Sequence, residues 1–444
     1  MSEHRHNIKT PIAHVIDVDM GYGHSRAAYA LKDLSCGVVT TSNNYPGIPK
    51  EDRKTWKEMR ELYEAMSRLH TTPIVGGMLF APIAKIEEIP KFYPRRDLSH
   101  VNFALTQAYR LIENGLGKHL ARTLEANPLP VVCTHPIPAF AMEVHGYPGD
   151  IWCVPTDADV ARAWVPKDSK RSRIKYFCAN GRLMQRLALY GVRENQLYLT
   201  GFPLPKELIG GERSTVIRHD LLARLCNLDP NELFLDRHRK TIAATLGASA
   251  CTYRKTHTLT ILYAIGGAGA QRGVGREILK SMAIRLKRGE VKIRLSAGTR
   301  ADVLKYYQQT LKELNIKQGV EFIFSHDRAE YFSQFNNALH DTDILWTKPS
   351  ELAFYTALGL PVIMSNPLGV QEQFNATWLK YVGGGMMQDD VRYANEWIFD
   401  WIASGGLARA AWNGFVEAPT HGTYRIEDLL LGRTPDLVSL PLIV

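Results

Sequence analysis

Two short glycine turns, one in each half of the chain, limit what this sequence can fold into. The first, Gly21-Tyr22-Gly23-His24, follows the apolar run Ile12-Ala13-His14-Val15-Ile16-Asp17-Val18. The second, Gly266-Gly267-Ala268-Gly269-Ala270, follows Leu259-Thr260-Ile261-Leu262-Tyr263-Ala264-Ile265. A helix-like stretch comes after each. Strand, glycine turn and helix start, in that order, aim backbone N–H groups and the positive end of a helix at an anion. Found twice, with a histidine in one turn, the unit predicts two α/β domains facing one cleft.

The rest of the chain follows the same grammar. Short apolar or β-branched runs predict strands at 12–19, 36–42, 130–134, 151–155, 174–178 and 197–200, then at 259–265, 291–297, 320–325, 343–346 and 361–364. Helical patterns fall between them, at 24–33, 52–69, 101–125 and 181–190, then at 273–287, 301–314, 328–338, 350–358, 371–381 and 391–417. Strands alternating with helices imply parallel sheets covered on both faces, that is, two Rossmann-like domains. The expected partition is an N-terminal acceptor domain (1–205), a hinge and helical insertion (206–255), a C-terminal nucleotide-sugar domain (256–404), and a C-terminal helix and tail (405–444) that crosses back to the first domain. Gly201-Phe202-Pro203-Leu204-Pro205 has the composition of a hinge, placed at 201–211.

Composition bounds the class. A chain of 444 residues suits two or three domains, and 45% hydrophobic with 22% charged residues is the balance of a soluble globular protein. No apolar run reaches the ~18–20 residues of a membrane span, and the polar start Met1–Lys9 lacks the apolar core of a secretory signal. Six cysteines without C-x-x-C spacing read as buried thiols in a reducing compartment, so a cytoplasmic location is expected. The net charge of +9 favours an acidic partner: a phosphorylated substrate, an anionic membrane face or nucleic acid. Its densest run, 167–173, reads as a solvated loop, and no aromatic–basic interleaving accompanies it, so nucleic acid is not expected. The apolar stretch Gly76–Ile83 reads as core, acceptor lid or membrane-dipping loop and leaves peripheral membrane contact open.

Three glycines within four residues let a diphosphate approach the backbone at 266–269, while the spacing is not that of an ATPase P-loop. Some 80 residues on come Trp346-Thr347-Lys348-Pro349-Ser350-Glu351, Gly359-Leu360-Pro361 and Gln371-Glu372-Gln373-Phe374-Asn375-Ala376. These strand ends and helix starts should open on the same sheet edge as the glycine turn, where open α/β sheets bind ligands. Glu351 can accept from ribose hydroxyls; Gln371, Glu372 and Asn375 can bind sugar hydroxyls. Plain helix capping by Ser350 and Asn366 is the simpler account of the same residues. On the acceptor side, Thr134-His135-Pro136 follows one strand, and Asp157, Arg162 and Trp164 follow another. His135 reads equally as a second acid/base or as a turn residue.

In order and type these motifs resemble GT-B glycosyltransferases that use a UDP-sugar, in particular the enzymes that add N-acetylglucosamine to a peptidoglycan lipid intermediate and the monogalactosyldiacylglycerol synthases. The resemblance covers most of the chain. Gly21-Tyr22-Gly23-His24 matches the histidine-bearing turn that opens the N-domain of those families, and Gly266-Gly267-Ala268-Gly269 matches their G-G-x-G loop. Thr347-Lys348, Gly359-Leu360-Pro361 and the Gln-Glu-x-x-Asn-Ala at 371–376 follow in the family order. Thr156-Asp157, Trp164 and Gly201-Phe202-Pro203 look like further family positions. Where the families carry a Glu ahead of the Gly-Leu-Pro, this chain has Phe354, and Glu351 is the nearby acid.

The resemblance implies an inverting transfer of a sugar from a UDP-linked donor to a hydroxyl acceptor: a lipid, a glycan or a small molecule. His24 is the candidate general base, since an imidazole suits proton abstraction at neutral pH. Gly23, His135, Asp157, Arg162 and Trp164 would line the acceptor side. Gly266, Gly267, Gly269, Arg272, Ser325, Thr347, Lys348, Ser350, Glu351, Gln371, Glu372 and Asn375 would bind the donor. Three Asp-x-Asp triplets (17–19, 157–159 and 341–343) lie at predicted strand edges and read as turn chemistry, so no metal is expected. No cofactor is expected either; the nucleotide sugar is a co-substrate. A sugar-nucleotide epimerase or hydrolase of the same fold, and a non-catalytic nucleotide-sugar or nucleic-acid binder, are the alternatives the sequence leaves open.

Overall fold

A computed structural model of the chain describes residues 10–69, 88–247, 257–267, 269, 271–437 and 440. The 76–83 stretch, Ala268 and Ala270 lie outside the described residues. The first sheet has six strands: β1 (His14–Asp17), β2 (Val39–Thr41), β3 (Val131–Cys133), β4 (Ile151–Cys153), β5 (Lys175–Cys178) and β6 (Leu197–Leu199). The second has β7 (Leu259–Ala264), β8 (Val291–Gly298), β9 (Val320–Phe324), β10 (Ile344–Thr347), β11 (Val362–Met364) and β12 (Gly385–Met387). The strand orders are β2-β1-β3-β4-β5-β6 and β12-β11-β10-β7-β8-β9, and every pairing is parallel. These are two Rossmann-like domains, the GT-B architecture. All six residues of β7 are buried, as a strand covered by helices on both faces requires.

Register places the turns. Strand order reverses between β1 and β3 in one sheet and between β7 and β10 in the other. Ile16 lies opposite Cys133, so the 21–24 turn and Thr134-His135 leave the first sheet side by side. Ala264 lies between Ser296 and Thr347, which brings the 266–269 turn, Gly298-Thr299 and Thr347-Lys348 to one edge of the second. Each glycine turn therefore sits at a topological switch point, where such sheets leave a crevice.

Several long helical runs are broken. The 101–125 run divides into Phe103–Glu113 and Lys118–Leu124 at Gly115 and Gly117, both with left-handed φ. The 391–417 run divides at Gly405 into Ala394–Ala403 and Gly406–Glu417. Within the insertion expected at 206–255 lie two helices, Thr215–Leu228 and Leu233–Leu246, separated because Pro230 cannot continue a helix. Asp229 then accepts from the N–H groups of Phe234 and Leu235 and starts the second of the two. This pair is built into the second domain's core through Leu221, Leu225, Leu228, Phe234 and Ile242. The buried Arg224 donates to the carbonyls of Leu339, Thr342 and Leu358 and so ties together the segments that carry them.

The two domains meet along the helix Tyr22–Ala30, which packs on the helix Arg328–Leu339. Tyr22 reaches furthest: its ring is 5.2 Å from that of Tyr331, and its hydroxyl accepts from the Thr299 N–H at 2.8 Å. Gly298 is left-handed (φ 64°), and a Cβ there would overlap the Tyr22 hydroxyl. The chain crosses between domains twice. At the first crossing Phe202 stacks on Phe354 at 4.6 Å. The helix Gly422–Leu430 returns to the first domain, where Ile426 joins Val15, Ala28, Leu31, Val132 and Trp152. The crossings touch, since a Cβ on Gly201 would lie 2.7 Å from the Pro419 side chain. Gly298→Ala should lower stability in urea melts by about 2 kcal/mol or more, from left-handed strain plus expulsion of Tyr22, while Tyr22→Phe should cost less.

Candidate functional site

His24 stands in the first turn of the 22–30 helix, which begins at Gly21 without a side-chain cap. Its Nδ1 is 2.6 Å from the carbonyl oxygen of Thr134. A carbonyl only accepts, so Nδ1 carries the proton and Nε2 keeps its lone pair. Burial pushes the imidazole below its ordinary value, outweighing the Thr134 carbonyl, Asp17 and Glu351, which all favour the charged form. His24 is therefore a neutral base at neutral pH.

A second histidine lies against it. The His24 and His135 rings are 4.8 Å apart, edge to face, with Trp164 at 5.9 Å from His24 and Trp56 at 6.2 Å from His135. His135 Nδ1 accepts from the Ile137 N–H and caps the helix Pro136–Val144. That fixes the opposite tautomer, with the proton on Nε2. Burial and the neighbouring His24 push His135 well below the ordinary histidine range. The pair thus offers one acceptor and one donor nitrogen. The turn reading of His135 is present as a cap, and the same cap leaves Nε2–H available.

Of the other acceptor-side residues, Gly23 and Trp164 lie beside His24, and Asp157 lies at the domain boundary. Arg162 does not face the cleft: its guanidinium donates to the carbonyls of Ser99, Val165 and Pro166 and holds the loop after β4. Asp157 accepts from Asn375 Nδ2 at 2.7 Å, and Asn375 Oδ1 accepts from the Ala158 N–H at 2.7 Å. Asn375 also donates to the Pro349 carbonyl. Its amide is thereby engaged as a clamp between domains. Burial, followed by Glu351 and Glu372, pushes the Asp157 carboxyl up to about 6, against the Asn375 hydrogen bond and Lys348.

On the opposite domain Gly266, Thr347, Lys348 and Glu372 converge at the β7/β10 switch point. Lys348 pairs with Glu372 and covers Gly266, where a Cβ would lie 2.7 Å from the lysine Cε. Thr347 donates to the Ala264 carbonyl, and Glu372 also accepts from the Leu368 N–H. The two glycine turns meet: a Cβ on Gly267 would sit 3.5 Å from the Gly21 Cα. Ser350 begins the helical turn Glu351–Leu358 with no side-chain cap bond, and half-buried Gln371 opens the helix Val370–Val382. Ser325 stands apart, donating to Glu330 at the end of β9. Arg272, three residues after Gly269, pairs with Asp302 at 3.5 Å.

Four residues that the structure brings to the site were not singled out in the sequence. Arg300 lies 3.7 Å from a Gly269 Cβ and shares Asp302 with Arg272, so two guanidinium groups stand beside the glycine turn. Its position between β8 and the next helix was the available signal. Tyr22, Arg26 and Arg328 tie the domains together. Arg26 Nε is 3.2 Å from Glu351 Oε1, and Arg328 pairs with Asp19 and donates to the Ser25 hydroxyl. Glu351, expected at a ribose, is in this closed arrangement an ion-pair partner of the opposite domain.

The carboxylates of the Asp-x-Asp triplets have protein partners. Asp17 accepts from Ser25, Asp19 pairs with Arg328, Asp159 with Arg186, and Asp341 with Arg294; Asp343 accepts from Asn227 and the Thr260 N–H. Among the described residues no group of three or more His, Cys, Asp or Glu could hold a metal, and no helix is long and apolar enough to cross a membrane.

One family model matches, described as a domain of unknown function, DUF6938, over residues 299–424. No curated protein matches. Among solved structures the chain is similar to MurG of Acinetobacter baumannii (12% identity, TM-score 0.45, covering 95% of this chain and 100% of that one). It is similar to MnaA of S. aureus in complex with UDP (12%, 0.47, 95% and 98%). It is also similar to Anabaena HepE in complex with UDP-glucose (10%, 0.39, 71% and 82%). The fold assignment rests on strand order and register.

The Asp157 shift makes stability depend on pH. Its folded-state value of about 6 lies above the ordinary 3.8, so its contribution is complete below about pH 4 and is lost as pH rises through 6. Asp157→Asn keeps an acceptor for Asn375 and should raise stability above pH 7 by about 1–3 kcal/mol relative to wild type, the gain vanishing near pH 4. Thermal melts at pH 4 and pH 8 check this.

Proposed function

We propose that the protein is an inverting, metal-independent glycosyltransferase that moves a sugar from a UDP-linked donor to a hydroxyl acceptor. The observation that carries the reading is His24: a neutral imidazole, its Nδ1–H committed to Thr134, with the Nε2 lone pair left to act, in the turn that abuts the second domain's glycine turn. The switch point between β7 and β10 is where a Rossmann-like sheet takes a nucleotide, and the motifs at 266–269 and 347–376 carry the family resemblance there.

In the proposed reaction His24 Nε2 takes the acceptor hydroxyl proton as that oxygen attacks the anomeric carbon. The bond from that carbon to the donor phosphate oxygen breaks, and its electron pair leaves with UDP. In this reading the N–H groups of Gly266 and Gly267, the Arg272 and Arg300 guanidinium groups and Lys348 offset the departing charge. His135 Nε2–H and Trp164 orient the acceptor. The glycine turns touch in this closed state, so substrates enter by parting the domains about the 201–211 hinge and react on closure. The acceptor, peripheral membrane contact and a cytoplasmic location belong to this proposal.

A thermal-shift screen of nucleotides and nucleotide sugars should show stabilisation by UDP and a UDP-sugar, since a ligand of the native state raises apparent stability. His24→Ala should fold normally and lose transfer by about 10²–10⁴-fold. The rate should be flat from pH 7 to 8 and fall on acidification through the His24 value, which lies below 6.5. A chelator should leave the rate unchanged. Wild-type turnover in His24→Ala would sink the base assignment, and sugar release or epimerisation without acceptor would favour the hydrolase or epimerase reading.

A further inference from the structure

Glu351 is a buried carboxylate whose position the reaction above does not explain. It opens the helical turn Glu351–Leu358 of the second domain, yet it faces the first. Oε1 lies 3.2 Å from Arg26 Nε, with both side chains nearly excluded from water. Oε2 turns to the glycine turn, 3.4 Å from the point a Gly23 Cβ would occupy. Gly23 is the residue before His24, so the bare Cα at 23 gives the carboxylate a close approach to the base's own backbone. Arg26, one helical turn further on, aims it: the guanidinium is fixed by the Tyr331 hydroxyl at 2.8 Å and by the Phe335 ring at 4.1 Å. In the closed arrangement the ion pair holds Glu351 on Arg26.

We propose that Glu351 is a positioning residue for His24: delivered from the opposite domain and aimed by Arg26, its carboxylate stabilises the imidazolium that forms when the acceptor proton is taken up. This rests on the assignment of His24 as base. No atom passes through Glu351; the proton remains on His24 Nε2, and the carboxylate acts by charge alone across a water-poor interface. The other groups around His24 are accounted for. Asp17 on β1 favours the charged form more than Glu351 does, but it belongs to the same domain as His24 and is present whether or not the domains close. His135 is held neutral by burial and by His24, so it brings no charge of its own. Thr134 contributes a carbonyl. Glu351 is the carboxylate that arrives only on closure, so the base is fully effective only when both domains are in place around the substrates.

The test is the proton affinity of His24, read by NMR titration of its ring in the full chain, assigned by difference from His24→Gln. It needs no substrate and no turnover, so it stands apart from whether sugar transfer occurs. Glu351→Gln removes the negative charge, and Arg26→Gln removes the positive one. Both break the same ion pair and loosen the interface alike, yet charge requires opposite effects. Glu351→Gln should lower the His24 pKa by about one unit, tenfold in proton affinity, and Arg26→Gln should raise it. Shifts of the same sign, or none in Glu351→Gln, overturn the proposal. If Arg26→Gln does not fold, Arg26→Lys keeps the charge: an unmoved His24 there beside a fall in Glu351→Gln supports it, and equal falls overturn it.

Discussion

Arg26 is 2% exposed, and a charge that deep in a protein is tolerated only with compensation. Its ion-pair and hydrogen-bond partners, the Glu351 carboxylate and the Tyr331 hydroxyl, and the nearest aromatic faces, Phe332 and Phe335, come from the other domain. Neither domain alone could bury this side chain cheaply. The contact therefore selects the closed arrangement over other ways of juxtaposing two sheets, and it fixes the rotation of the 22–30 helix. That rotation sends Tyr22 into Gly298, Ser25 to Arg328 and His24 to Thr134. The geometry of the base is thus a by-product of how the interface solves its charge problem.

Most of the architecture was legible because parallel strands buried on both faces read as short apolar runs. Every strand in the first half of the chain lies inside its predicted segment. What escaped had weak local signals. β12 is three residues, Gly385-Met386-Met387, with no β-branched side chain. The Pro136–Val144 helix, with prolines at 136 and 138, was not among the predicted helices; His135 caps it. The 101–125 and 391–417 runs have helical periodicity throughout, and only left-handed glycines, whose φ a sequence does not display, divide them.

The site was legible in part, for a different reason. The glycine turns, His24 and the 347–376 motifs depend on local order along the chain, and the sheets bring their ends together as strand order dictates. Arg26, Arg328 and Tyr22 were not visible, because their meaning lies wholly in residues about 300 positions away. Arg162 and Asn375 show the reverse. Both are polar residues at strand ends or helix starts, where function was expected, and the fold uses both to satisfy backbone groups. Residue type and location cannot separate a ligand's partner from a carbonyl's partner; the accounting of donors and acceptors can.

The two touching crossings between domains have a consequence for folding as well as for motion. With Gly201 against Pro419, the links lie side by side along one edge, so the domains can rock about that edge but cannot twist freely about a single thread. The first domain's core also includes Ile426 from the helix Gly422–Leu430. As the chain leaves the ribosome, that core stays unfinished until the second domain has been made. The amino-terminal half must wait, with an apolar groove beside β1 and β3 open to solvent or to a chaperone, for a segment synthesised more than 200 residues later.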